Sequence, residues 1–204
     1  MTNKVYRVFL DKLGGTDPTQ FVGDKGEIFY DPLVGALRIS DGVTPGGNLL
    51  GALGSTGYVG SFYDTTTQTN PIADTARAMT YNSTTIADGV QVVNQSQLKV
   101  LHAGNWNIQF SAQMDKTDSG EDIVDIWLRK NGVDVDHSNT RLTITGNNAK
   151  LVASWNWIIT GLANDYYEIM WSSPDTAMRI YAESAQINPT RPGIPSVIVT
   201  VSQV

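Results

Sequence analysis

Apolar and polar residues alternate along most of the chain after residue 60. Between Trp106 and Met114, every second residue is apolar and the residues between them are polar. A period of two over nine residues is typical of a β-strand with one buried face. Similar alternation returns at residues 124–128, 153–159, 167–171 and 197–201. Helical periodicity is nowhere sustained, so this pattern predicts roughly eight to ten strands of an all-β sandwich.

The tryptophans divide between the two faces of these strands. Trp106, Trp155 and Trp171 are in phase with apolar neighbours, and we interpret them as core residues. Trp127 falls on the face opposite Ile126. Three interpretations of this position are open. The side chain is buried on a second face within the subunit, it is exposed as a platform for sugar stacking, or a neighbouring subunit covers it. We favour subunit contact, because aromatic residues are enriched in interfaces.

Shorter β-type runs precede residue 42. Residues 27–30 and 36–40 are separated by a turn-like segment that contains Pro32 and Gly35, which predicts a β-hairpin. Together with the apolar run at residues 5–9, this predicts a compact β module over residues 1–41.

A glycine-rich segment follows at residues 42–60. Its glycines at 51, 54, 57 and 60 have a spacing of three, which is also a feature of collagen, but the run is short. We interpret the segment as a flexible or threefold-wrapped linker. The predicted organisation is therefore a module at 1–41, a linker at 42–60 and a sandwich at 61–204.

Composition excludes several classes of function. The 204 residues carry a net charge of -6, and the 14 Lys and Arg residues form no cluster, so a nucleic-acid interface is not expected. Cysteine is absent, which excludes disulfides, thiol nucleophiles and Cys-ligated zinc. No apolar run reaches the roughly 20 residues of a membrane span, and residues 1–10 lack the apolar core of a secretory signal.

Candidate chemistry is sparse. His102 and His137 belong to no nucleophile or zinc motif. The acidic residues Asp115, Asp118, Glu121 and Asp122 are weak calcium candidates, since calcium takes several oxygen ligands. Their spacing does not match an EF-hand loop, and a solvated loop between strands is the preferred interpretation.

Catalysis is not expected. A carboxylate pair for glycoside hydrolysis depends on the fold rather than on spacing, yet no repeat of solenoid length is present. We therefore predict no catalytic residues, no cofactor and a protein that is not an enzyme.

Two segments carry a first resemblance. Residues 26–32 (GEIFYDP) and 37–47 (LRISDGVTPGG) resemble a motif of structural proteins in tailed phages, notably those that infect cyanobacteria, where it accompanies fibres and other appendages. The resemblance implies a location in the virion, on the tail or capsid surface, after synthesis in the host cytoplasm. It also implies that residues 1–60 attach to other virion proteins. The implied attachment residues are Phe29, Tyr30, Asp31, Arg38 and Asp41.

A second resemblance covers residues 61–204. The segments 103–113 (AGNWNIQFSAQ), 126–132 (IWLRKNG), 161–169 (GLANDYYEI) and 195–204 (PSVIVTVSQV) resemble the C1q/TNF-type jelly roll, although Asn164 stands where that family has glycine. Members of that family are homotrimers with the final strand at the threefold interface. The resemblance implies a homotrimer, and we expect an edge strand at 197–201 that other copies cover. The implied interface residues are Trp127, Val197, Val199 and Val201.

These observations favour a trimeric tail-fibre or receptor-binding tip. The loops 115–122, 134–140 and 172–177 would face a host cell-surface glycan or protein, and threefold repetition would add avidity. A capsid-decoration or baseplate-associated trimer is the alternative hypothesis. A polysaccharide depolymerase is a remote one.

Overall fold

The computed structural model describes residues 17–50 and 57–204, which belong to two compact units divided between Thr56 and Gly57. Every regular element in these ranges is a β-strand, and the strands pair in antiparallel fashion, which confirms the predicted all-β class. No helix that could cross a membrane occurs in the described ranges. The apolar run at 5–9 and the glycines at 51 and 54 lie outside them.

Nineteen strands are described. They are β1 (Ile28–Asp31), β2 (Ala36–Ile39), β3 (Asn48–Leu49), β4 (Val59–Asp64), β5 (Gln68–Thr69), β6 (Arg77–Ala78), β7 (Ser83–Asp88), β8 (Val90–Val93), β9 (Gln97–Val100), β10 (Gly104–Lys116), β11 (Glu121–Lys130), β12 (Val133–Asp134), β13 (Thr140–Thr145), β14 (Lys150–Gly161), β15 (Tyr166–Ser172), β16 (Met178–Ile180), β17 (Gln186–Ile187), β18 (Thr190–Arg191) and β19 (Val197–Gln203).

The first unit contains a three-stranded sheet in the order β1-β2-β3. Ile28 pairs with Ile39 and Asp31 with Ala36, and the connecting turn contains Gly35 at a positive φ of 66°. The ring of the buried Phe29 packs edge-on against Phe21, with ring centroids 4.9 Å apart.

The second unit contains two seven-stranded sheets and a small β17–β18 hairpin. The β10 sheet has the order β5-β16-β10-β19-β4-β7, with β14 paired to the other side of β10. The β11 sheet has the order β12-β11-β15-β9-β8, with β13 paired to β11 and β6 paired to β15. Apolar side chains of both sheets meet in a single core, which includes Ile108 and Phe110 of β10 and Val124 and Ile126 of β11.

The predicted core tryptophans follow this arrangement. Trp106 and Trp171 are fully buried, and Trp155 is half-buried against the same core. The Asn131-Gly132 hairpin signal is also confirmed, since these two residues connect β11 to β12 with φ values of 50° and 82°. Both residue types tolerate the positive φ that a two-residue hairpin turn requires.

The expectation of an edge strand at 197–201 is wrong. Strand β19 lies between β10 and β4 and pairs with both over six or seven residues. Val197, Val199 and Val201 are fully buried in the core of their own chain. Their side chains are therefore not at the surface, where another copy could contact them. The edge of β19 is instead paired with β4, a strand whose sequence signal is weak because Gly60 lies on its buried side.

Gly161 ends β14 where two large core side chains converge. A Cβ at this position would lie closer to Tyr167 Oη than van der Waals contact permits, and it would lie 3.2 Å from Trp106 Cδ1. Tyr167 Oη is buried and has no hydrogen-bond partner among the described residues. This hydroxyl therefore leaves no room for a side chain at position 161, although it forms no hydrogen bond with the described residues.

We predict that Gly161→Ala lowers the free energy of unfolding by about 1–3 kcal/mol, because the added methyl overpacks the core. Tyr167→Phe removes the oxygen that the methyl would meet, so the double variant should recover part of this loss. Urea denaturation of the four proteins measures the coupling. Strictly additive effects of the two substitutions would contradict this assignment.

Candidate functional site

Four of the five predicted attachment residues stabilise the first unit. Phe29 and Asp31 are buried. Arg38 Nε donates to Asp31 Oδ2 at 2.7 Å, and Arg38 Nη1 donates to the carbonyl of Gly46 at 3.0 Å. This guanidinium therefore links strands β1 and β2 to the turn before β3.

Asp41 organises the turn that follows β2. Its Oδ1 accepts the backbone N–H groups of Val43 and Thr44, and its Oδ2 accepts the Thr44 hydroxyl at 2.7 Å. The Thr44 hydroxyl and these N–H groups favour the charged form and lower the pKa of Asp41 to about 2. The carboxylate is thus ionised at neutral pH and already occupied by its own loop.

Tyr30 is the predicted attachment residue that faces outward. Its side chain is 45% exposed, and the turn that follows β1 exposes Leu33 and Val34 more fully. Large exposed apolar side chains at a turn are candidates for a protein contact. Tyr30, Leu33 and Val34 therefore form an exposed apolar patch on this unit.

The acidic loop divides into separate groups in the structure. Asp115 is buried and bound by Arg179 Nη2 at 2.6 Å and Lys150 Nζ at 3.1 Å, whereas Glu121 is exposed. Asp118 and Asp122 lie together with Asp175, each offering a carboxylate oxygen within 4.8 Å of the others. Two of the four calcium candidates thus meet, and Asp175 was missed because it lies more than 50 residues further along the chain.

Lys116 supplies the positive charge of this cluster. Its fully buried Nζ lies 2.8 Å from Asp122 Oδ2 and 3.5 Å from Asp118 Oδ1. Burial alone would lower the pKa of Lys116, but the nearby carboxylates of Asp122 and Asp118 outweigh it and raise the pKa. The ammonium group therefore remains charged and compensates the negative charge of Asp118 and Asp122.

Trp127 lies on the outer face of the β11 sheet. Its indole Nε1 donates to Asp134 Oδ1 at 2.8 Å, and Arg129 Nε donates to the same oxygen at 2.8 Å. The hydrogen bonds from Arg129 and then Trp127 lower the pKa of Asp134. Trp127 is half-buried, and it borders an open cleft of about 380 Å³ with the 134–139 loop.

The outer face of the β10 sheet contains no charged side chain along most of its length. Outward positions on β14, β10, β19 and β4 are uncharged until Asp115 and Lys150 at one end. These uncharged positions are Val152, Ser154, Asn156 and Ile158, then Asn107, Gln109, Ser111 and Gln113, then Ile198, Thr200 and Ser202, and then Val59, Ser61 and Tyr63. We call this set the neutral face.

The neutral face ends at an open strand edge. In the described part of the chain, β14 pairs only with β10, so one side of this 12-residue strand carries no ladder of hydrogen bonds. Ile158 is 69% exposed and Val152 is 53% exposed on this strand. Long apolar edges of this kind favour association with another chain.

The outer face of the β11 sheet has the opposite character. Its outward residues include Asp125, Arg129, Arg141, Glu168 and Lys99. Arg141 binds Asp125 through two hydrogen bonds of 3.0 and 2.9 Å, which lowers the pKa of this carboxyl group. Charged residues are depleted from interface cores, so this face suits contact with solvent.

A scan against protein-family models and a search of curated proteins gave no match for the chain.

The neutral face was not predicted from the sequence, although the residues that form it follow a visible pattern. Polar uncharged residues alternate with the core residues of both β10 and β14, but the lateral pairing of these two strands could not be read from either strand alone.

We predict that Lys116→Met lowers the melting temperature, because it leaves the buried Asp122 without a counter-ion. Burial raises the pKa of Asp122 above its ordinary 3.8, so the folded state binds this proton more tightly than the unfolded state. The contribution of Asp122 to stability should therefore rise as pH falls from neutrality through that raised pKa, and the rise should be larger in the variant than in the wild type. Thermal unfolding across this pH range measures both effects.

The double variant Lys116→Met, Asp122→Asn serves as the control, since it removes the carboxylate and should lose the added pH dependence. Calcium should leave the melting temperature of the wild type unchanged. Wild-type stability in Lys116→Met at neutral pH, or marked calcium stabilisation of the wild type, would contradict the role given to Lys116.

Proposed function

We propose that the protein is a non-enzymatic virion protein of a tailed phage, a homotrimer that adheres to the host surface as a tail-fibre or receptor-binding tip. The observation that carries the self-association is the neutral face together with the open edge of β14. A surface without charge in a chain with 34 charged residues is suited to burial against another protein.

The strand order supports the C1q/TNF-type jelly roll within this proposal. Four strands of the β10 sheet follow the order β4-β19-β10-β14, and four of the β11 sheet follow β9-β15-β11-β13. In chain order, each of these eight strands is followed by one in the other sheet, except that β11 and β13 lie in the same sheet. Eight strands that alternate in this way between two sheets form the Greek-key pattern of a jelly roll.

The proposed self-contact can close into a ring. The edge of β14 and the β19–β4 part of the neutral face are different surfaces of the same unit. Contact between them is heterologous, and such a contact either closes into a ring or extends into a filament. The resemblance to homotrimers selects a ring of three, in which each copy would cover the open β14 edge of the next.

The interface residues of the proposal differ from those expected from sequence. Val197, Val199 and Val201 support β19 from inside the core, while the outward residues Ile198 and Thr200 of the same strand face the neighbouring copy. Trp127 lies on the charged face, away from the proposed contact. The proposed interface therefore consists of the neutral face and β14.

A capsid-decoration or baseplate-associated trimer is the second candidate. It uses the same self-contact and the same attachment through residues 1–60, so only the position on the particle separates it from a tail tip.

We predict that the protein has the mass of three chains in solution and that Ile158→Asp dissociates it. A carboxylate at this 69%-exposed position would be desolvated in the interface, which is strongly unfavourable without a partner. The dissociation constant should rise by at least about 100-fold. Sedimentation at several concentrations measures it.

Thr143→Asp is the matched control, because Thr143 is exposed at an outward position of the other sheet. It should leave the mass unchanged. A wild-type protein that remains a stable single chain at micromolar concentration would overturn the proposed trimer.

We predict that Tyr30→Asp removes the protein from phage particles but leaves its folding and its binding to host cells intact. The Tyr30 side chain is exposed beside the turn that follows β1, so the substitution alters the proposed contact surface and not the core. Particle composition and imaging of labelled particles measure incorporation and location, and adsorption of the purified protein measures cell binding.

Arg38→Ala should instead destabilise the unit itself, since it leaves the buried Asp31 unpaired. Labelling on the tail together with cell binding supports the adhesive tip. Many copies on the capsid lattice would favour the decoration protein, and failure of the purified wild type to bind host cells would contradict the adhesive function.

A further inference from the structure

Trp127 lies on the surface that the proposed self-association would leave free. If copies cover the neutral face, the β11 sheet forms the outside of the assembly. Three equivalent tryptophans would then face the surroundings, each beside the 134–139 loop of its own chain.

The ring of Trp127 is held in a fixed orientation. Its N–H is bound to Asp134 Oδ1, which Arg129 also binds, and Trp127 lies opposite Met170 on β15. Because the N–H is already used, the ring offers a ligand its apolar surface. Preorganised aromatic rings lose little entropy when they bind a ligand.

Polar groups surround this ring. The cleft of about 380 Å³ is lined by Trp127 with Asp125, Asp134, Asp136, His137 and Asn139. Asp134 is 57% exposed, and its Oδ2 accepts no hydrogen bond from the described residues, while Asp136 and His137 are exposed. An apolar ring beside several hydrogen-bond acceptors fits a ligand that has both C–H faces and hydroxyl groups.

The charges of the cleft restrict the ligand further. Three lining residues are carboxylates and none is Lys or Arg. The nearby Arg129 and Arg141 are bound to Asp134 and Asp125. Anionic sugars such as uronates would be repelled, whereas the hydroxyls of an uncharged sugar can donate to these oxygens.

We propose that Trp127 and the 134–139 loop form a binding site for an uncharged glycan, with one sugar ring stacked on the indole and its hydroxyls bound by Asp134 and Asp136. The inference rests on the proposed adhesive function and names its ligand class. Each site makes few contacts and therefore binds weakly, and repetition in the assembly supplies the avidity.

The test uses the full chain and uncharged tetrasaccharides of glucose, mannose, rhamnose and N-acetylglucosamine, with tetragalacturonate as the charged comparison. Calorimetry and saturation-transfer NMR should detect at least one uncharged binder with a dissociation constant of roughly 1 mM or below. Trp127→Ala should weaken this binding by at least about tenfold. Trp127→Phe should retain part of it, because a ring remains.

Thr143→Ala, an outward substitution on the same sheet, is the matched control and should bind as the wild type does. The inference is overturned if no uncharged tetrasaccharide binds at about 10 mM, if Trp127→Ala binds as well as the wild type, or if tetragalacturonate is the tightest ligand. Circular dichroism of each variant separates lost binding from lost folding.

These outcomes are distinct from those of the proposed function. Cell binding that persists in Trp127→Ala would contradict the proposed glycan site but would still support the adhesive function. Sugar binding by a protein located on the capsid lattice would support the site and contradict the tail-tip location.

Discussion

The long strand β10 is the element on which the rest of the sandwich depends. It pairs with β14 along one side and with β19 and β16 along the other, and its alternate side chains form the centre of the core. Because β10 is 13 residues long, two strands fit end to end beside it. The faces and edges of the second unit follow from this pairing.

The alternation of single strands was readable from sequence, whereas their neighbours were not. Trp106 and Trp171 were assigned to the core because a period of two places them in phase with apolar residues. Strands β4 and β7 were missed, since β7 is mostly polar and exposed and β4 includes Gly60 on its buried side. Register and lateral order depend on contacts far apart in the chain, and for this reason β19 was expected at an edge.

In the candidate sites as well, the sequence indicated single residues but not the residues that lie next to them in the fold. Composition identified the acidic loop, but Asp175 joined it only through the pairing of distant strands. Phe29, Asp31, Arg38 and Asp41 stood out as a motif, yet their contacts are internal. A motif in sequence does not distinguish residues that hold a surface in place from those that form it, and here exposure separates Tyr30 from its neighbours.

Because Lys116 lies among the carboxylates of the acidic loop, the order of this loop should not depend on divalent ions in the solvent. Acidic loops at the tips of extracellular proteins commonly owe their order to bound divalent ions, which chelators and dilution remove. Here the cation is covalently part of the chain. The 115–122 loop should therefore keep its arrangement in the presence of chelators and when divalent ions are diluted away.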